Sequence, residues 1–518
     1  MAAMELNQNL YLSFFWCLIF IVLAFKLTRK RTKPNFPPSP PKLPIIGNLH
    51  QISTPFHQSL RSLSSKYGPL MLLHLGQVPT VVVSSADLAR EMAKTSNDIV
   101  FSSRRSITAA KILFYGCNDV ISAPYGEGWK LRRKISITEF LSPRKVKSFQ
   151  YISEEEVSNL VNKIRDEARN SKNDGLPVSV NLIQMLIETL NNVLCRCIFG
   201  HKCETSDGES SRLREIMMEM MHEFGEFSFG DFFPSLWWMD CFKGLIPKMK
   251  ATSKELEALI LHEIEQHKSK RRNNTHENKD LLDILLELQQ NGIIRSDLSL
   301  VSIKAIIVNM FAAGIDTTST TMEWAMAEMM KHAEKMKRAQ EEVRGIVGYK
   351  TRIDETDVNQ MRYLKCVVKE TLRLHPAGLI PRETNNSVKL GGHDIPPKTN
   401  ILVNPFAIHR DPNHWERPEE FVPERFENSE VDFKGQDFEF IPFGFGRRGC
   451  PGLYFGVASV EYTLANLLYW FDWKFPDDDG TAMTYGKDID MSEADGQAIR
   501  KKIQLLLHPI PYSFCPKT

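Results

Sequence analysis

The chain has almost no excess of either charge: 65 Lys and Arg against 63 Asp and Glu leave a formal +2 over 518 residues. That balance gives no electrostatic argument for nucleic-acid binding, so any functional basic patch must be local. No internal repeat is found, and no glycine-rich fingerprint for a phosphate or dinucleotide. Cysteine is sparse and mostly scattered, at Cys17, Cys117, Cys195, Cys197, Cys203, Cys241, Cys366, Cys450 and Cys515. A zinc site needs about three or four ligands at short spacing. Cys195, Cys197 and Cys203 supply only three thiols around the helix-like LNNVLCRCIFG, which reads as buried core. Cys450 stands alone in a loop of glycine and arginine, with Cys366 and Cys515 as its nearest neighbours in sequence.

Charge is missing altogether from residues 6–25, LNQNLYLSFFWCLIFIVLAF. A helix of about 20 residues spans about 30 Å, the thickness of a bilayer core. A cleaved secretory signal fits poorly, because no Lys or Arg precedes the run and no A-x-A-like site follows. The basic cluster KLTRKRTK after it predicts a cytosolic side for everything downstream. Residues 1–33 are therefore expected to be an uncleaved anchor with its basic flank. In the reducing cytosol the cysteines should mostly be free thiols.

Residues 34–48, PNFPPSPPKLPIIGN, predict a stiff, extended proline-rich hinge whose apolar end can dock on the body. Residues 49–518 show no convincing boundary. GPLMLLHLGQVPTVVVSS reads as two short strands around a turn, and SVKLGGHDIPPKTNILVN suggests a small second β region. Long amphipathic segments, among them residues 153–170 and 253–268, dominate the rest. The expected fold class is mainly α with a small β region, in one domain behind a single transmembrane helix.

Four stretches carry chemistry. Within a helix-like run over residues 298–331, FAAGIDTTSTTMEW places Ile306, Asn309, Met310, Ala313 and Thr317 on one face. Gly314 weakens the helix there, and Thr317 can bond back to a carbonyl. With Asp316, these put a groove and two polar groups into an apolar helix. KETLRLHP sets Glu370 and Arg373 on one helix face, and FVPERF offers Arg425 as a second partner. GEGWKLRRK sets Trp129 and Arg133 four apart, an indole donor and a cation suited to an anion. Each of these alone is equally explained by core or surface packing.

Together with FGFGRRGCPG at residues 443–452, these stretches in this order resemble the cytochrome P-450 superfamily of haem-thiolate monooxygenases, and within it the plant A-type microsomal branch. The loop matches the signature F-x-x-G-x-R-x-C-x-G through Phe443, Gly446, Arg448, Cys450 and Gly452. The resemblance runs from the anchor to nearly the last residue.

The resemblance implies haem b held by the Cys450 thiolate, a ligand that pushes electron density towards iron. It places Arg448, Arg133, Trp129 and Arg382 at the haem propionates and Phe443 beside the cofactor. Glu370, Arg373 and Arg425 become a structural triad rather than catalysts. Asp316 and Thr317 become a proton relay on the opposite face, without which reduced oxygen escapes as peroxide. With no nucleotide fingerprint in the chain, electrons are implied to come from NADPH through a membrane-bound NADPH–cytochrome P-450 reductase. Lys130, Arg132, Lys134, Arg144 and Lys145 are candidate contacts to its acidic face. The other implied partners are O2, the lipid bilayer and a small hydrophobic substrate. The implied location is the endoplasmic reticulum membrane, single-pass, with the catalytic domain cytosolic.

Candidate substrate contacts by the same resemblance are Asn309, Ala313, Gly378, Leu379, Ile380 and Gln497. A mostly apolar lining suits a hydrophobic molecule with few polar handles. A terpenoid or phenolic specialised metabolite is favoured. The chain departs from the branch at Phe445, usually a small residue, at Arg105, where proline is common, and in a shorter RLHPAGLIPRE. Two other readings are a haem-thiolate isomerase or lyase acting on a hydroperoxide, and a non-catalytic haem-binding membrane protein. An intact Asp316–Thr317 pair disfavours both.

Overall fold

Residues 34–42 carry no helix or strand, and the apolar end of the expected extended hinge instead folds back in a turn at residues 43–48. Leu43 and Gly47 bridge each other, Gly47 also bridges Leu75, and the buried Asn48 side chain donates to the carbonyls of Pro40 and Pro41. The computed structural model describes residues 34–174, 179–202, 209–271, 279–290, 298–476, 483–484, 489–496 and 498–512. The expected anchor at residues 1–33 lies outside them, as do Gln497, Cys203 and Cys515.

After the hinge, helix α1 (Phe56–Tyr67) packs on the hairpin of strands β1 (Leu70–Leu75) and β2 (Val78–Val83). Alternation sorts the hairpin side chains between two cores. Met71, Leu73 and Val82 turn towards Leu60 of α1, while Leu70, Val81 and Val83 face the opposite side. Helices α2 (Glu127–Ser136), α3 (Leu182–Phe199) and α4 (Leu300–Lys331) follow. Asn181 caps α3 by accepting the Gln184 N–H, and Ser299 caps α4 by accepting the Ser302 N–H.

Helix α4 has 32 residues, which makes it about 48 Å long. Its residues are buried on almost every side, so it must be enclosed by other helices. α3, α5 (Arg362–Leu374) and α6 (Leu453–Trp470) do this. Among the described residues, α3 and α4 are long and apolar enough to cross a membrane, yet 78% and 72% of their apolar windows are buried within the protein. Both are core helices. The expected amphipathic helices are present as Gln150–Asp174 and Leu245–Arg271, extended beyond the apolar pattern by polar residues that tolerate helix.

The β structure is more connected than the sequence implies. Strands β3 (Ile380–Glu383) and β4 (Asn400–Val403) join the first hairpin in the order β1–β2–β4–β3. β4 runs parallel to β2 with Ile401 opposite Val81, and antiparallel to β3 with Val403 opposite Ile380. Only Val388–Leu390 and His393–Ile395 form a separate hairpin. A sheet of Val180–Asn181, Leu506–Pro511, Phe471–Pro476 and Met483–Thr484 has no counterpart in the sequence reading. Strands β5 (Glu493–Ala494) and β6 (Arg500–Lys501) make a two-residue ladder beside α4.

Cys117, Cys197, Cys241, Cys366 and Cys450 are free thiols, but Cys195 is disulfide-bonded to a partner outside the described residues. The redox argument from the compartment does not foresee that bond.

Candidate active site

A cavity of about 320 Å³ lies between α4 and the segment that leads into α6. Asn309, Met310, Ala313, Gly314 and Thr317 form one wall, and Phe443, Cys450 and Gly452 the other. The side wall runs from Ala377 through Gly378 and Leu379 to Ile380, while Arg104, Arg133 and Arg448 close the edge. Tertiary packing thus brings Ala313, Gly378, Leu379 and Ile380 together around one space. Gln497 is outside the described residues.

The cysteine wall is held by its own backbone. Cys450 N–H donates to the Phe443 carbonyl at 2.7 Å. Gly446 has φ +61°, and a Cβ there would meet Asp98 Oδ1 at 2.4 Å, so only glycine fits this turn. The Cys450 side chain opens onto the cavity rather than onto bulk water. Burial pushes its thiol pKa up; the N–H groups of Gly452 and Leu453 and the charges of Arg133 and Arg104 oppose that rise. Leu453 begins α6, so the sulfur sits at a helix N-terminus, where negative charge is favoured.

Among the described residues the arginine edge has no carboxylate within ion-pair distance, although the buried Asp119 acts on Arg104 and Arg448, and Asp98 on Arg382, from further off. Arg448 donates to the carbonyls of Ser102 and Ala123, Arg104 to Ile121, and Arg133 to Gly449 at 2.7 Å. Burial lowers the pKa of Arg104 to about 10 and of Arg448 to about 9, and each also feels the other's charge or that of Arg133. Arg382 is lowered well below its ordinary value by burial and by Arg104 and Arg448. The buried Arg104 Nε has no partner. Guanidiniums crowded with no carboxylate paired directly to them are suited to a bound dianion.

The implied haem fits these residues: two apolar walls, a thiol on one, and cations along one edge for carboxylates. Not every expected contact faces the space. Trp129 donates to the Val120 carbonyl at 3.0 Å, and Arg382 donates to the Phe445 carbonyl. Neither lines the cavity, so both brace the edge from behind. Arg104 was not singled out by sequence; the RR pair of FSSRRS was the only signal.

On the opposite wall, Thr317 Oγ1 donates to the Ala313 carbonyl at 2.6 Å. Gly314 permits the approach of α3, since a Cβ there would touch Leu194 at 3.0 Å. Asp316 does not line the cavity. Its Oδ1 pairs with Arg500 Nη2 at 3.0 Å and its Oδ2 accepts the Ala498 N–H at 3.2 Å. Burial raises the Asp316 pKa, against the opposing Arg500 charge and these hydrogen bonds. Asn309 has its carbonyl oxygen taken by the N–H groups of Val120 and Ile121, which makes it a brace of the wall.

Glu370, Arg373 and Arg425 form one network. Arg373 Nε and Nη2 donate to Glu370 at 2.8 and 2.9 Å, and Arg425 Nε donates at 3.0 Å. Arg373 also donates to the carbonyls of His409, Pro418 and Glu420. His409 links this network to the cysteine loop. Its Nδ1 donates to the Arg373 carbonyl and its Nε2 accepts the Ile441 N–H, so burial keeps it neutral, with a pKa lowered to about 3.

Of the basic residues near the cysteine side, Lys134 and Arg144 are exposed and Lys145 half-buried. Lys130 pairs with Glu127 at 2.7 Å. Arg132 is buried, with its Nε directed at the Asp119 carbonyl, and is no surface contact. Phe445 is buried against Phe438 with Arg382 over its ring, and Arg105 donates to the Asp231 carbonyl.

Comparison with known proteins agrees with that resemblance. The family model described as cytochrome P450 matches residues 37–497. A phenylacetaldehyde oxime monooxygenase of Prunus mume is 47% identical over 98% of this chain and 95% of its own length. A costunolide synthase of Lactuca sativa is 43% identical over 95% of this chain and 97% of its own length. A zebra fish cytochrome P450 structure with progesterone superposes with a TM-score of 0.75 at 27% identity, covering 89% of this chain and all of that one. With the lone cysteine, the arginine edge and the Glu370 network all lying inside the matched span, the chain belongs to the cytochrome P450 family.

Proposed function

We propose that this monooxygenase inserts one oxygen atom of O2 into a hydrophobic plant specialised metabolite, with electrons passed from NADPH by a membrane-bound reductase. The observation that carries the reading is a cavity with Cys450 on one wall and Thr317 on the facing one. Haem held there supplies reductive activation of dioxygen. Cys450 provides the ligand sulfur, whose thiolate form is favoured by the Gly452 and Leu453 amides and by Arg133. Arg104, Arg133 and Arg448 hold the cofactor carboxylates. Thr317 Oγ1 presents a hydroxyl to the cavity, and Asp316 feeds it protons.

The apolar walls suit a terpenoid or phenolic, and relatives named for an oxime and for costunolide bracket the range of chemistry. Anchoring by residues 1–33 in the endoplasmic reticulum membrane, with the catalytic domain cytosolic, is part of the proposal. It is supported by the exposed Ile45, Trp237, Trp238 and Phe242. These belong to segments joined by Gly76 N–H to the Ile46 carbonyl and Gln77 N–H to the Phe232 carbonyl. Lys134, Arg144 and Lys145 are proposed to meet the reductase.

The test uses the full-length holoprotein. The reduced carbon monoxide complex should show the thiolate-type Soret band, and Cys450→His should abolish it while haem is retained. Substrate-induced Soret shifts against a panel of terpenoids, phenolics and oximes then identify the class. A thiolate-type spectrum surviving in Cys450→His, or turnover of a hydroperoxide without reductase that Thr317→Ala leaves unchanged, overturns the reading.

A further inference from the structure

Away from the cavity, His267, Asp280 and Asp283 bring three metal-ligating atoms within 4.8 Å of one another. His267 lies near the end of the helix Leu245–Arg271, and Asp283 in the first turn of the helix Leu281–Gln290. Asp280 immediately precedes that second helix, and its Oδ1 accepts the Asp283 N–H at 2.8 Å, which fixes the carboxylate as a cap. His267 and Asp283 are buried and Asp280 is half-buried. The end of α3 meets the same point: Gly200 has φ +74°, and a Cβ there would lie 2.7 Å from Asp280 Oδ2. Three helices therefore converge on one nitrogen and two carboxylates.

The imidazole is oriented as a ligand is. His267 Nδ1 lies 2.8 Å from the Glu263 carbonyl, which can only accept, so Nδ1 carries the hydrogen. Nε2 is then directed at Asp280 Oδ2, 3.0 Å away. In the neutral ring this sets a lone pair against a carboxylate, and a positive species has to stand between them: a second proton or a metal ion. A backbone carbonyl behind the ring is the usual support of a metal-bound histidine. A proton bridges two atoms, whereas a metal ion gathers three, and Asp283 supplies the third.

We propose that this junction is a structural metal site, binding a divalent first-row ion of the zinc class through His267 Nε2 and one oxygen each of Asp280 and Asp283, with water completing the shell. One imidazole and two carboxylates suit zinc and its neighbours; the nitrogen counts against calcium and magnesium, and a set without thiolate against copper(I). Two bonds of about 2.1 Å at a right angle set their donors about 3.0 Å apart, the spacing found between Nε2 and Asp280 Oδ2. In line such bonds span about 4.2 Å, so Asp283 has about 0.6 Å or less to close, within the rotation of a carboxylate. The ion pins the helix Leu245–Arg271 to the start of the next helix beside the end of α3. None of the three residues lines the cavity, so the ion takes no part in oxygen chemistry.

The test uses the full-length holoprotein without a polyhistidine tag, stripped with a chelator and titrated with zinc alone. Wild type should bind a single zinc per chain with a Kd of about 1 μM or tighter. X-ray absorption at the zinc edge should show nitrogen and oxygen at about 2.0–2.2 Å with imidazole scattering. Zinc should raise the denaturation midpoint of wild type. His267→Gln, whose amide can still donate to Asp280, should weaken zinc binding at least about tenfold and remove the imidazole signal. Asp283→Asn should weaken it similarly, and zinc should leave the denaturation midpoint of either variant unmoved. The carbon monoxide spectrum should match wild type in both variants, which shows that the fold is kept; either variant with that spectrum is sufficient for the test. Zinc bound equally by wild type and the variants lies elsewhere and overturns the site. Wild type that retains no zinc also overturns it, and leaves a proton on Nε2 in an ordinary imidazolium–carboxylate pair.

Discussion

The buried Arg373 and the partly exposed Arg425 pair with a carboxylate; the half-buried Arg104 and the buried Arg382 and Arg448 have none within ion-pair distance among the described residues. In the first cluster Glu370 accepts from both guanidiniums and from the Val422 N–H, and backbone carbonyls take the remaining Arg373 donors. In the second, the donors' hydrogen bonds reach carbonyls, and like charges lower each other's pKa while Asp119 and Asp98 oppose that only from a distance. A buried charge without a directly paired counter-charge is costly, so a protein retains such a cluster where something outside the chain completes it. The difference separates a part that holds the fold from a part that waits for a cofactor.

The sharpest way to break the comparison is to remove the acid from the compensated cluster. Glu370→Gln leaves two facing guanidiniums and should cost about 3–5 kcal/mol, seen as loss of folded, haem-binding protein or a large fall in the denaturation midpoint. The single change Arg425→Gln should cost less, because Arg425 is partly exposed and Arg373 still pairs with Glu370.

A second prediction concerns another compensated acid, one helix away. Glu328 accepts from His375 at 2.7 Å and lies 3.5 Å from His332. Against burial, these histidines hold its pKa down, from 4.5 to about 2. A carboxyl depressed in the folded state contributes stability that is fully present above its unfolded pKa and is lost as pH falls through the folded value. Stability should therefore decline between about pH 4.5 and pH 2, and Glu328→Gln should flatten that limb of a pH–denaturation curve by at most about 3 kcal/mol.

The smallest stability effect is expected in the uncompensated cluster. Arg104 titrates near 10 in the fold against 12.5 as its ordinary value, so at neutral pH its charge is a cost to the folded state. Relief by deprotonation comes only as pH rises through the folded value. At pH 7, Arg104→Gln should leave the haem-free protein as stable as wild type or more so by roughly 1 kcal/mol. The same change should speed haem loss, followed by transfer to a haem acceptor. A drop in haem-free stability comparable with Glu370→Gln would erase the distinction between the clusters.

The triad was legible because Glu370 and Arg373 are three apart on a helix, and PERF marks the third member. The cysteine loop was legible because its glycines, arginine and cysteine are contiguous. Trp129 and Arg133 were equally visible as a pair, but spacing on a helix says nothing of what each side chain meets. Trp129 turned to the Val120 carbonyl and only Arg133 to the cavity. Arg104 carried no local pattern beyond the RR pair of FSSRRS, and Arg500 none; each matters through residues distant in sequence. The β4 strand was read as part of a separate β region for the same reason, since its parallel partner β2 is remote in the chain.

By itself the sequence determined what depends on near neighbours: the apolar content of α3 and α4, the caps at Asn181 and Ser299, and the lone thiol at Cys450. These follow from dihedral limits and from the fixed spacing of side chains along a helix or strand. The tertiary structure alone decided which way Asp316 faces, that Asn309 braces the cavity wall, and that four arginines gather with no acid paired directly to them. Those outcomes depend on which backbone and which charge arrive alongside after the chain has packed, and no local rule encodes that.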